Sequence, residues 1–505
     1  MIERRWPLLA SVNGAYALWW FVHAGARVPL WYDEMFTVRL SALGGVRELW
    51  RALSAGFDFN PPGLYVVTRI ARLLPVADPL NARLPALFGF ALVMFTMFVF
   101  LQRRVGSAVA TAALALMPLA NFVERYAIEA RAYMLLLGVS GCAIVCWQAI
   151  GESTGRRRLF AAAGLAIAVA VALTLHVWSI ILPAAVIAAE GVILIQTGRV
   201  RWIVLTALVA AAPVLTMYPT LLAASRTAAF TNEVYAPSAA KVLSALLTIM
   251  PRLRAVALVA LTVVVVRLGG RMMARSDAEA APAPGLLPAE RALLIALALS
   301  PLIPYGYALV TNGAFMTRYA VYAVIGVAGL LADGLHLFSH RTTTAGAAAA
   351  VVASAVLWAY LPARVMVGPG EEVPSLRVLR GLDRTAMEDA PLVLVNPLDV
   401  IAIDERSADR DRRDLTFVAD AASARRYTGT DLVDLSYLRG EPYLHMRIPR
   451  TTYVSLTTGS KRLYLLGEWK SLTWLPQRLS DDGWTLNHIG GTAEAPLFEA
   501  MRKTP

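Results

Sequence analysis

Residues 83–101 read RLPALFGFALVMFTMFVFL. After Arg83 the run carries no charge, and it matches the roughly 20 residues a helix needs to cross the hydrocarbon core of a bilayer. In hydrocarbon every backbone amide must be satisfied within its own segment, so such a run reads as a membrane-spanning helix. Working outward, the same reading finds ten more runs, at 7–26, 107–124, 132–150, 159–175, 177–196, 202–222, 253–268, 291–310, 319–338 and 344–366. The expected fold is an all-α polytopic membrane protein of about 11 helices, the eighth weakest because Pro251, Arg252 and Arg254 crowd its start.

Composition agrees. Of 505 residues 57% are hydrophobic and 16% charged, where soluble domains run near a quarter charged. A net charge of +12 would suggest nucleic acid as the partner of a soluble chain. Here the basic residues sit beside apolar runs, where they fix topology and meet anionic headgroups, so membrane lipids and no nucleic acid are expected as partners. Lys occurs only at Lys241, Lys461, Lys470 and Lys503, which with abundant Ala suggests a GC-rich bacterial genome. Cys142 and Cys146, four apart in an apolar run, have neither a metal-ligand pattern nor a disulfide framework beside them and read as packing residues.

Arginines set the orientation. Arg4-Arg5, Arg103-Arg104, Arg156-Arg157-Arg158, Arg199 with Arg201, and Arg271 with Arg275 fall on alternate loops, which are therefore cytoplasmic. The opposite loops and, with an odd number of spans, the C-terminus face outward. That predicts a multi-pass protein of the bacterial cytoplasmic (inner) membrane with its site toward the periplasm. The Ala- and Pro-rich stretch 276–290 reads as a cytoplasmic linker. Ala24-Gly25-Ala26 could end a signal peptide, but Trp19, Trp20 and Phe21 favour a retained interfacial anchor.

The first outer loop, 27–82, carries two amphipathic patterns. Leu43, Val46, Trp50 and Leu53 share one helical face opposite Arg47 and Arg51; Leu64, Val67, Ala71 and Leu74 share another, opposite Arg69 and Arg72. Both are too short to span, and they are expected to lie in the interface with the apolar face in lipid. Beyond residue 366 the chain changes character. Leu392–Val395 and Leu463–Leu466 read as buried strands before turn signals, giving a small C-terminal α/β extracytoplasmic domain over 367–505.

Four groups on outward loops could carry chemistry. Asp33-Glu34 follows the first span directly; adjacent carboxylates at a membrane surface repel and cost desolvation, so one is expected to act as a general base and the other to orient it or hold a cation. Arg125, Glu129, Arg131 and Tyr133 crowd the next outer boundary, where Arg125 and Glu129 are spaced to pair and the arginines suit a phosphate. His176 breaks the fifth and sixth runs, and Arg318-Tyr319 opens the tenth. Their convergence on one side favours a surface enzyme over a transporter, which would bury charges at the bilayer midplane.

In chain order, the acid pair (33–34), Asn-Pro-Pro-x-Leu-Tyr (60–65), Arg-Tyr-x-x-Glu-Ala-Arg-x-Tyr (125–133), the His-bearing break ending in Leu-Pro (176–183) and the late Arg-Tyr (318–319) resemble the GT-C glycosyltransferases. Within them the pattern is most similar to the bacterial family 39-like enzymes, akin to protein O-mannosyltransferases and the aminoarabinose transferase of lipid A. It covers roughly the first 340 residues and is poor in the tail. The resemblance implies a transmembrane GT-C catalytic module over 1–366, with interfacial helices in 27–82, and an accessory domain over 367–505. It also implies a polyprenyl-phosphate sugar donor and a lipid, glycan or protein acceptor in the cell envelope. Asp33 matches the catalytic carboxylate and Glu34 its neighbour. Asn60 stands where many relatives carry His or Lys, which puts a phosphate-binding role at that position in doubt. No cofactor is implied beyond a divalent cation, which the acid pair leaves open. One base without a second nucleophile predicts inversion at the anomeric carbon. Alternatives are a polysaccharide polymerase or ligase using pyrophosphate-linked glycans, and a non-catalytic membrane partner.

Overall fold

The computed structural model describes residues 5–273, 285–339, 343–365, 373–383, 387, 390–412, 414–469 and 472–502. Most of the expected linker 276–290 lies outside them. The chain opens with eight helices: α1 (Arg5–Arg27), α2 (Tyr32–Ala42), α3 (Val46–Ser54), α4 (Gly63–Ala71), α5 (Leu80–Val105), α6 (Ser107–Leu116), α7 (Asn121–Tyr126) and α8 (Tyr133–Glu152).

The protein is a multi-pass helical membrane protein. Among the described residues six helices are long and apolar enough to cross a membrane, or seven if Pro288–Ala298 and Leu302–Thr311, bent by 45°, count as one span. Among the described residues the expected count of eleven is not reached. The run 107–124 is broken at Met117–Leu119, where Pro118 sits in a 3-10 turn between α6 and α7. The run 319–338 becomes helical only from Ala323, leaving 17 residues in Ala323–Ser339.

α5, which contains the opening run, packs most closely on α8. Two glycines permit the approach: a Cβ at Gly89 would lie 2.3 Å from the backbone of Leu135, and one at Gly138 would lie 2.7 Å from the Gly89 carbonyl oxygen. Small residues of this kind let helix backbones meet in lipid. Gly89→Ala is accordingly expected to lower the melting temperature in detergent, by an overpacking cost of about 1–3 kcal/mol. An unchanged melting temperature would show that the two helices separate freely here.

The first-loop helices differ from expectation. Leu49, Ala52 and Leu53 of α3 and Leu64, Tyr65, Thr68 and Ala71 of α4 are buried within the protein. α4 lies on α2 and α5, whose own apolar surfaces offer it a protein partner in place of lipid. Of the large apolar side chains in this region, Val46, Ile70, Leu73 and Leu74 are exposed.

The tail forms a mixed sheet of β1 (Leu392–Leu394), β2 (Leu415–Val418), β3 (Arg450–Thr451), β4 (Arg462–Leu466), β5 (Trp484–Gly491) and β6 (Pro496–Arg502), ordered β3-β2-β1-β4-β6-β5. The pairs among β1, β2, β3 and β4 are parallel, and β6 runs antiparallel to β4 and β5. Strand side chains alternate between faces. Val393, Leu463 and Leu465 build one core with Trp474 and Leu479. Leu392, Leu394, Tyr464 and Leu466 face the other way and join the core of the helical part. Tyr437 of the helix Leu432–Leu444 carries that join, with its ring 6.1 Å from Phe36 and 6.4 Å from Tyr32. Arg39 of α2 reinforces it, donating to Glu405 at 2.6 Å, Asp404 at 3.2 Å and the Leu444 carbonyl at 2.6 Å.

Candidate active site

Asp33 and Glu34 occupy the first turn of α2, where the helix dipole favours acids. Consecutive helical residues point about 100° apart, and the two carboxylates part company. Glu34, 1% exposed, turns inward. It accepts from Arg83 Nε at 2.8 Å and Nη2 at 2.7 Å, from the Ala130 amide at 2.6 Å and from the Trp31 amide at 3.1 Å. Arg83 in turn donates to the carbonyls of Gly25, Val28 and Pro29. This cluster ties the end of α1, the start of α2, the start of α5 and the turn before α8 into one unit. With its oxygens filled by four donors and no part in the cavity described next, Glu34 has no position from which to work with Asp33 as base or to share a cation with it. Among the described residues no group of three or more His, Cys, Asp or Glu side chains is placed to hold a metal ion.

Asp33 turns the other way, into a cavity of about 590 Å³. Its Oδ2 accepts from Arg318 Nη1 at 2.5 Å. Burial would raise its pKa, yet Arg318 and then Arg131 outweigh burial and hold the carboxyl below the usual aspartate range. Arg131 spans the cavity floor: its Nη1 lies 3.3 Å from the Asp33 carbonyl oxygen and from Thr37 Oγ1, and 3.6 Å from Asp58 Oδ2.

Arg125, Arg131, Tyr133, His176, Arg318, Tyr319 and Asn60, all singled out in the sequence, line this same cavity. Glu129 does not; it stands behind Arg125, accepting from its Nε at 2.6 Å. The pair expected from their spacing forms, although α7 ends at Tyr126 and Glu129 lies in the bend beyond it. The Arg125 guanidinium also lies over Trp31 and Tyr126, 5.4 and 5.5 Å from their ring centroids. Asn60 turns its side-chain amide to Asp58 Oδ1 at 3.0 Å, so its first partner is the loop itself.

His176 begins a 3-10 turn and accepts the Trp178 amide on Nδ1 at 3.1 Å. Burial first, then the charges of Arg131 and Arg318, push its pKa down to about 3. A neutral ring accepting on Nδ1 carries its proton on Nε2, so His176 offers a hydrogen-bond donor. Tyr133 and Tyr319 flank it, with ring centroids 5.4 and 6.3 Å away.

Sequence reasoning missed part of the lining. Asp58 stands in Phe57-Asp58-Phe59 without a neighbouring acid to flag it; its only signal is the turn it caps before Pro61-Pro62. Tyr32, Tyr235 and Lys241 also line the cavity, as do five tail residues, Leu398, Leu432, Val433, Ser436 and Leu472. None of the five carries a chemical group that marks a site.

The fold is of the GT-C type, the architecture of membrane glycosyltransferases. The chain is similar over 98% of its length, and 98% of the other chain's, to the crystal structure of ArnT from Cupriavidus metallidurans bound to undecaprenyl phosphate, with a TM-score of 0.53 and 13% identity. The apo state of that protein gives a TM-score of 0.45 at 12% identity, covering 99% of this chain and 98% of that one. The Archaeoglobus fulgidus oligosaccharyltransferase in the apo form gives 0.42 at 10% identity, covering 90% and 69%. No protein-family model and no curated relative matches the chain.

Proposed function

We propose that this protein transfers a sugar from a polyprenyl-phosphate-linked donor to a cell-envelope acceptor on the outer face of the cytoplasmic membrane, with inversion at the anomeric carbon. The observation that carries this reading is a carboxylate, Asp33, held in a cavity that Asp58, Arg125, Arg131 and Arg318 also line. The similar ArnT structure, bound to undecaprenyl phosphate, supports the donor class.

The chemistry divides between the two kinds of group. As the bond from the anomeric carbon to the phosphate oxygen breaks, its electron pair leaves with the phosphate, where arginine forks stabilise it. The acceptor hydroxyl oxygen forms the new bond to that carbon from the opposite face, and its proton passes to Asp33. Arg318 has two calls on it, because its Nη1 donates to Asp33 and its guanidinium lines the cavity that would take the phosphate. A bound phosphate draws the guanidinium toward itself and leaves Asp33 more basic, so donor binding prepares the base. His176 Nε2–H and the tyrosine hydroxyls supply neutral donors for sugar oxygens.

Undecaprenyl phosphate is expected to raise the melting temperature of the wild type, and Arg318→Lys to remove most of that rise. A point charge replaces a fork, at a cost near 2 kcal/mol for a charged hydrogen bond. An equal rise in the variant would leave the phosphate without Arg318 as a ligand.

The acid limb of kcat/KM, which reports the free enzyme, supplies an independent check. Since Asp33 is held low, its carboxylate persists as pH falls through the usual aspartate value of about 3.9. The wild type should show no limb from this group above that pH. In Arg318→Met burial is opposed only by the remaining arginines, so the limb should move upward. A limb that stays in place would show that Arg318 does not set the charge state of Asp33.

A further inference from the structure

The cavity has two kinds of wall. Among the described residues, every charged side chain that lines it belongs to residues 33–318. The described tail residues in the lining are Leu398, Leu432, Val433, Ser436 and Leu472, none with a formal charge. We propose that this tail wall is the acceptor subsite, with Leu432 and Ser436 selecting an acceptor whose reacting hydroxyl is flanked by uncharged, apolar surface. The inference rests on the reading of the cavity as the site of a polyprenyl-phosphate-dependent transferase.

The absence of charge on this wall is built, because acids are present and turned away. In the sequence Asp431-Leu432-Val433-Asp434-Leu435-Ser436, Leu432 and Ser436 are four apart and stack on one helical face toward the cavity. Both acids point elsewhere. Asp431 accepts from the Ala229 amide at 2.7 Å and from Arg425 Nε at 2.9 Å. Asp434 accepts from the Asp420 amide at 2.9 Å and from Trp474 Nε1 at 3.1 Å.

The wall is also fixed in place. The Thr231 amide donates to the Gly429 carbonyl at 3.0 Å, and Asn232 Nδ2 donates to the Thr428 carbonyl at 2.5 Å. Gly429 has φ +71°, and a Cβ there would lie 2.9 Å from Thr231 Oγ1, so only glycine fits this latch. A charged acceptor group pressed on Leu432 and Val433 would lose its water and gain no partner. An apolar flank loses nothing, and the Ser436 hydroxyl, which donates to the Leu432 carbonyl at 3.0 Å, keeps lone pairs for a neutral donor. The anionic donor and the uncharged acceptor are thereby sorted to different walls.

The test complements a strain lacking this gene with wild type, Leu432→Glu, Ser436→Asp or Leu432→Met, and measures by mass spectrometry the sugar-bearing envelope product that the deletion removes. The purified proteins are melted with and without undecaprenyl phosphate. The two acidic variants should lower product at least about tenfold, the scale on which a pocket rejects a poor partner. They should keep the wild-type melting rise with undecaprenyl phosphate, and Leu432→Met should restore product. Product at wild-type levels in both acidic variants would overturn the proposal. So would loss of the undecaprenyl phosphate rise together with product, since the tail wall would then serve the donor or the fold. Failure of the underlying reading looks different: the wild type itself would show no rise, and the deletion strain would accumulate no lipid-linked sugar.

Discussion

Asp33→Asn should lower the rate of sugar transfer by at least about two orders of magnitude, the usual weight of general base catalysis. The substitution keeps shape and removes only the negative charge and the second acceptor oxygen. Asp33 is the carboxylate of the acid pair that enters the cavity, and its neighbour cannot stand in, because Glu34 is committed to Arg83. Folding should hold, since Asp33 contributes one side-chain ion pair, to Arg318, and sits at the edge of open space. Expression and membrane insertion should match the wild type, and the melting rise with undecaprenyl phosphate should survive or grow as Arg318 is released. Full activity in this variant would remove Asp33 from the chemistry.

Glu34→Ala should fail in the opposite way. The Glu34–Arg83 pair is 1% exposed on each side, and removing one partner of such a pair costs about 3–5 kcal/mol because the other is left charged and buried. The melting temperature should drop sharply. Activity should follow the folded fraction, with the activity per folded molecule little changed. Replacing both partners, as in Glu34→Met with Arg83→Leu, should recover much of the loss, because well-packed apolar residues can substitute for a buried ion pair. A variant lacking Glu34 that melts like the wild type but transfers no sugar would return this residue to the catalytic machinery.

The contrast between these neighbours shows what the chain makes legible. Lipid imposes a strong compositional rule, so the helical class was plain from runs such as 83–101. The number of spans was less plain, because Pro118 and the 3-10 turn Thr317–Ala320 before Ala323 interrupt runs that hydropathy joins. Arg131, Arg318, His176 and Asp33 could be singled out because polar groups at the ends of apolar runs need a reason. Which acid faces the cavity could not, since the answer depends on Arg83, 49 residues away and the only charge in the opening run. The amphipathic patterns of α3 and α4 were visible, yet periodicity says that one face is covered and not by what. Leu432 and Val433 left no trace, because an apolar residue in a site looks like one in a core.

The shared core between the tail and α2 also has a temporal meaning. Phe36 and Arg39 sit one and two turns beyond Asp33 on α2, and their partners lie between Asp404 and Leu444. A ribosome delivers those partners only after the helices up to Thr343–Val365 have been made. Until then, the helix that carries Asp33 lacks the ring of Tyr437 on one side and three hydrogen-bond acceptors for Arg39 on the other. The surroundings of α2 are thus completed by residues of the tail, and a chain that stopped before Asp404 would lack them.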